Sequence, residues 1–132
     1  MDKLFSSNVN PKELSSLTLA FIGDTVYELL VREYLLTTGL RKVGELNKDK
    51  VSMVCCGAQT KALDKIKDIL TEEEESVFKR GRNVQVNSVP KNSTLKDYHT
   101  ATGFEALFGY LYLRGRVERV RELFMIIVEN DE

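Results

Sequence analysis

Leu17-Thr18-Leu19-Ala20-Phe21-Ile22-Gly23-Asp24-Thr25-Val26-Tyr27-Glu28-Leu29-Leu30-Val31 is the stretch on which the reading of this chain turns. It is apolar almost all the way round a helix, so it reads as a buried helix. Asp24 is then a carboxylate in an unexpected place. Thr102-Gly103-Phe104-Glu105-Ala106-Leu107-Phe108-Gly109-Tyr110-Leu111-Tyr112-Leu113 repeats the pattern around Glu105. Acidic side chains are almost never fully buried without a partner. Two such acids in two apolar helices point to one shared cation. From spacing alone, Asp24 fits a hydrogen-bonded core carboxylate or the partner of a buried arginine better than a cation ligand, and Glu105 shifts that balance.

Working outward, helical periodicity dominates and no segment reads as a strand. The expectation is an all-α fold of about six to seven helices, forming one domain over residues 1–132. Asn10-Pro11-Lys12-Glu13 has the composition of a helix start. The long apolar helix covers about residues 16–37 and stops at Gly39. A helical turn is expected around 41–46 and one helix over 48–70. Thr71-Glu72-Glu73-Glu74 forms a second capping box, opening a helix to about Asn83, with Glu72 to Glu75 read as its solvated start. Residues 84–96 are polar, contain Pro90 and show no period, so they read as a loop. Helices at about 97–113, ending near Gly115, and 117–129 complete the chain. The alternating Arg and Glu of the last helix read as a solvated face.

Composition narrows the function classes. With 132 residues, 42% hydrophobic and 30% charged, the chain can build a core and solvate its surface. A net charge of −1 does not announce a nucleic-acid binder, so any basic surface must be local. Cys55 and Cys56 are adjacent and read as core thiols that cannot staple a fold, which fits a reducing cytoplasm. Thiolate zinc sites are excluded by their number. No apolar run approaches the ~18 residues that span a membrane, and the N-terminal residues lack a signal-peptide pattern. A soluble, cytoplasmic protein is expected.

Gly23 beside Asp24 costs roughly 1 kcal/mol in a helix relative to Ala, and its missing side chain lets another backbone or a ligand come close. If Asp24 and Glu105 pack face to face, their like charges repel, and a hard divalent cation resolves the conflict. Magnesium, with manganese as a substitute, accepts one or two carboxylates and retains waters for a phosphate substrate. That composition suits phosphodiester hydrolysis. Basic residues flank and occupy the loop. Lys79, Arg80, Arg82, Asn83, Asn87, Lys91 and Lys96 are candidate RNA contacts, and no acid occurs from Lys79 to Lys96. Such donors suit phosphates and sugar hydroxyls; an ordinary solvated loop has the same composition. Lys61, Lys65 and Lys67 could widen the patch. His99 reads as a surface or capping residue, and Tyr110 and Tyr112 as packing. Glu28 is either an outer support of the acidic site or a partner for a nearby cation.

Leu19-Ala20-Phe21-Ile22-Gly23-Asp24-Thr25-Val26 resembles the signature run of the ribonuclease III family, and the stretch from Phe104 to Leu113 resembles its second acidic motif. Arg80-Gly81-Arg82-Asn83 followed by Asn87-Ser88-Val89-Pro90-Lys91-Asn92 looks like the connecting loop of the short subgroup, Mini-ribonuclease III. The similarity covers nearly the whole chain and leaves no room for the family's double-stranded-RNA-binding domain. It implies a helical endonuclease domain and a homodimer. It also implies magnesium-dependent cleavage of double-stranded RNA to 5′-phosphate and 3′-hydroxyl ends. A role in maturing large-subunit (23S) ribosomal RNA is further implied. Asp24 and Glu105 fall on the family's catalytic, metal-binding acids. The signature glutamate falls on Ala20 and the second-motif aspartate on Thr102, which weakens a two-metal mechanism. Those losses keep alive a competing reading, a catalytically inactive helical dimer that binds RNA or the ribosome. A third is a helical interaction domain whose acids form core salt bridges.

Overall fold

The computed structural model describes residues 3–5, 8–85, 89, 91 and 93–129. Among them the regular structure is entirely helical: α1 (Ser16–Leu36), α2 (Val43–Val54), α3 (Cys56–Ile66), α4 (Glu72–Arg82), α5 (Leu95–Leu113) and α6 (Val117–Glu129). Two single 3-10 turns, Pro11–Glu13 and Lys67–Ile69, precede α1 and follow α3.

Local chemistry explains the ends. Asn10 caps the first turn by accepting from the Lys12 amide, but the chain then straightens and Ser15 caps α1 by accepting from Thr18. The Thr71–Glu74 capping box is complete in both directions. Gly39 (φ 117°) and Gly115 (φ 76°) follow α1 and α5 in the left-handed region that glycine tolerates.

One expectation fails at Cys55. The helix expected over 48–70 is two helices, because Cys55 is extended (ψ 161°) and serves as C-cap of α2 and N-cap of α3. The apolar residues of that stretch therefore do not share one face; Val51 is half exposed while Ile66 is fully buried. Nor are the cysteines core thiols, since Cys55 is exposed and Cys56 only partly covered.

The core forms around α5, which packs against α1, α4, α3 and α6. Phe104, Ala106, Leu107, Phe108 and Leu111 have no exposed surface. Tyr27 of α1 meets Phe104, Phe108 and Phe124 edge-on, with centroids 4.9, 5.2 and 5.7 Å away. Such pairs add about 1 kcal/mol each beyond burial. Alpha-helix α1 and α5 approach more closely than side chains would allow. A Cβ on Gly23 would lie 1.7 Å from the Glu105 carbonyl oxygen, and one on Gly109 would lie 2.0 Å from that of Leu19. Glycine at both positions therefore lets the backbones touch. Asp24, next to Gly23, is thereby brought beside Glu105.

Candidate active site

Asp24 and Glu105 line one open cavity of about 270 Å³, together with Ala20, Phe21, Gln59 and Thr102. Alpha-helix α1 supplies Asp24, α5 supplies Glu105 and α3 supplies Gln59. Burial of Asp24, expected from its apolar surroundings, does not occur: Asp24 is exposed at the mouth of the cavity, while Glu105 is partly covered. The apolar residues of α1 divide between two faces. Leu19, Ala20, Tyr27, Val31 and Leu35 enter the core, whereas Phe21 is 78% exposed and Leu17 51%.

Glu105 titrates far above an ordinary glutamate. Burial, then the charge of Asp24, pushes its pKa up to about 8, and a hydrogen bond with Asp24 adds to the rise. A hydrogen bond from the Gln59 amide opposes it, with Nε2 3.3 Å from Oε2. Among the described residues, no Lys or Arg forms an ion pair with either acid. Glu28 is no support for them. It accepts from Arg32 at 3.0 Å and lies 3.9 Å from Lys50.

Two uncompensated carboxylates suit a hard divalent cation, which takes one or two acids and completes its shell with water and phosphate oxygens. Among the described residues no group of three or more His, Cys, Asp or Glu could form a fuller protein cage. The reason is visible in the lining: Ala20 and Thr102 face the same cavity without a charge, and the Thr102 hydroxyl donates to the Tyr98 carbonyl at 3.0 Å.

The basic candidates fall in several places. Lys79, Arg82 and Lys96 line a second, larger cavity of about 540 Å³, with Lys67 and His99. His99 is thus partly buried rather than a surface residue, and its Nδ1 is enclosed without a hydrogen-bond partner. Lys96 belongs to the first turn of α5, not to the loop. Lys79 pairs with Glu75 at 2.9 Å. Arg80 and Lys91 are exposed, Asn83 caps α4, and Asn87 lies outside the described residues. Lys61 and Lys65 do not join this group. They line a different hollow, and Lys65 donates to the Ile127 carbonyl at 3.0 Å. The acidic cavity and the 540 Å³ cavity both take lining residues from α3 and α5, and the Thr60 hydroxyl of α3 donates to Asp97 of α5 at 3.1 Å.

Sequence reading missed Gln59, which is 1% exposed and touches Glu105. A lone glutamine in a helix carries no pattern that would mark it. The solvated start expected for Glu72 to Glu75 holds for Glu72 and Glu75, which are exposed, and fails for the two acids between them. Glu74 is 2% exposed and held by Arg119 at 2.8 Å, and Glu73 accepts from Arg116 at 2.7 Å and from the Tyr110 hydroxyl. Arg119 correspondingly does not belong to a merely solvated face of α6.

Residues 17–116 match the Ribonuclease III domain. The chain is 44% identical over 114 residues to the Mini-ribonuclease 3 of Symbiobacterium thermophilum, covering 86% of this chain and 88% of that protein. It is 41% identical over 118 residues to the Mini-ribonuclease 3 of Clostridium tetani, covering 89% and 78%. A crystal structure of a Fusobacterium nucleatum protein superposes with a TM-score of 0.83 at 31% identity, covering 92% of this chain and 97% of that one. With its two acidic motifs meeting in one cavity and a helical fold to match, the chain belongs to the ribonuclease III family of endoribonucleases, on the Mini-ribonuclease 3 branch.

Proposed function

We propose that this protein cleaves double-stranded RNA by magnesium-dependent phosphodiester hydrolysis, leaving 5′-phosphate and 3′-hydroxyl ends. A precursor of large-subunit (23S) ribosomal RNA is the proposed substrate, and the cytoplasm the proposed compartment. The observation that carries this reading is the meeting of Asp24 and Glu105 in one cavity, with no Lys or Arg among the described residues paired to either.

Asp24 and Glu105 would hold the ion. When bound, magnesium or manganese makes water a stronger nucleophile and offsets charge on the phosphate and the leaving 3′ oxygen. Glu105 must first release the proton that burial and Asp24 favour. Lys79, Arg80, Arg82, Asn83, Asn87, Lys91 and Lys96 would grip the A-form backbone, which is read by shape, phosphate and 2′-hydroxyl contacts. A homodimer is supported by the exposed Leu17 and Phe21 on α1, next to the acidic cavity. Two-fold symmetry would set one site against each strand. No helix among the described residues is long and apolar enough to cross a membrane.

The test is a long RNA duplex incubated with purified protein, with and without magnesium, followed by end-group analysis. Magnesium-dependent cuts with 5′-phosphates are expected. Duplex retention without cuts would instead favour an inactive RNA-binding dimer, the reading that Ala20 and Thr102 support.

A further inference from the structure

Gln59 is a fully buried amide with an incomplete set of partners. Its Nε2 donates to the Val54 carbonyl at 3.2 Å and to Glu105 Oε2 at 3.3 Å. The Val54 carbonyl can only accept, which fixes the amide orientation, and the second N–H then points to Glu105. Gln59 Oε1 is then enclosed with no donor. An unpaired buried carbonyl is unfavourable, and a well-packed apolar side chain would remove that penalty. The one N–H that reaches outside the α2–α3 junction ends on Glu105.

We infer that Gln59 is a positioning residue, which holds Glu105 Oε2 in place for cation binding at the expense of its own unsatisfied carbonyl. This rests on the reading of Asp24 and Glu105 as the metal-holding pair. Its N–H to Val54 ties the end of α2 to the start of α3, so the clamp on Glu105 is anchored to two helices. Losing the clamp leaves the Glu105 carboxyl free to rotate, which weakens the ion's hold without touching the fold. Partners in this position generally alter metal affinity or activity by about 10- to 100-fold.

Manganese binding, read by the electron paramagnetic resonance signal of free Mn2+, tests this in wild type, Glu105→Gln, Gln59→Met and Gln59→Asn. Gln59→Met removes both the N–H and the orphan oxygen, and Gln59→Asn keeps the amide but shortens its reach. Both are expected to bind Mn2+ about tenfold more weakly. For Gln59→Met, losing the bond to Val54 and removing the orphan oxygen oppose each other, so the metal-free Tm should stay within about 5 °C of wild type, and cleavage should recover at correspondingly higher magnesium. Wild-type Mn2+ affinity in either folded Gln59 variant overturns the inference. So does weakened affinity in Gln59→Met accompanied by a metal-free Tm loss of more than about 5 °C, which assigns Gln59 to closing the helix junction. Unchanged Mn2+ binding by Glu105→Gln would be a different failure, that of the metal-holding pair itself.

Discussion

Glu74 and Glu105 are both covered glutamates in helices that pack on each other, yet their surroundings drive them in opposite directions. At Glu74 burial pushes the pKa up, but hydrogen bonds from Arg119 and from the Thr71 backbone outweigh it and hold the group below the ordinary glutamate value. At Glu105 burial acts the same way, and the nearest charge is Asp24, so the pKa climbs to about 8. The Arg119 guanidinium completes one site from within the chain. Among the described residues, no Lys or Arg does the same for Glu105. A buried acid that the fold has already neutralised is structural, whereas one held against a second acid is poised for chemistry.

The contrast is broken most severely by exchanging the two outcomes. Under the proposed mechanism, in which the ion supplies several kcal/mol of transition-state stabilisation, Glu105→Gln should lower kcat/KM on the order of 10³-fold. Folding and duplex binding should survive, as thermal melting and gel retention would report. Glu74→Gln should do the reverse. Leaving Arg119 without its buried partner is expected to destabilise by roughly 3 kcal/mol, a Tm loss on the order of 10 °C, with specific activity retained at low temperature. A Glu74 variant that melts like wild type would remove the distinction.

Titration sharpens the same contrast. Glu105 keeps its proton in the folded chain to about pH 8, whereas in the unfolded chain it loses it near its ordinary value of 4.5. The folded state thus binds more protons in that window, so this group's contribution falls as pH rises from about 4.5 to 8. Denaturant titrations of metal-free protein should show that decline, and Glu105→Gln should flatten it by about 1–2 kcal/mol. Glu74, with its lowered pKa, contributes stability that is present above about pH 4.5 and lost as pH falls. Added metal should release a proton on binding.

The smallest expected effects lie on the basic side. Arg82→Ala and Lys91→Ala should each lower the slope of log affinity against log salt by about 1, with cleavage at saturating RNA retained. An unchanged slope in filter-binding titrations would separate these residues from the RNA.

Much of the fold was legible because its signals are local. The Thr71 capping box and the stop at Gly115 each depend on residues a few positions apart. The break at Cys55 was not legible, since apolar residues run on through it and only the extended backbone there separates α2 from α3. At the site, the two acids were legible from their apolar neighbours, but the exposure of Asp24 was not. An apolar helix can be covered on one side and open on the other, and α1 is both.

Residue order by itself determined that the chain is helical, where most helices begin and end, and which two acids are out of place, because propensity, capping and periodicity act within a turn or two of helix. Tertiary packing alone decided that those acids meet, that Arg119 neutralises Glu74 and that Gln59 reaches Glu105. These depend on which faces press together, here through backbones brought into contact at Gly23 and Gly109. Proximity between distant segments is a property of that packing and has no counterpart in sequence spacing.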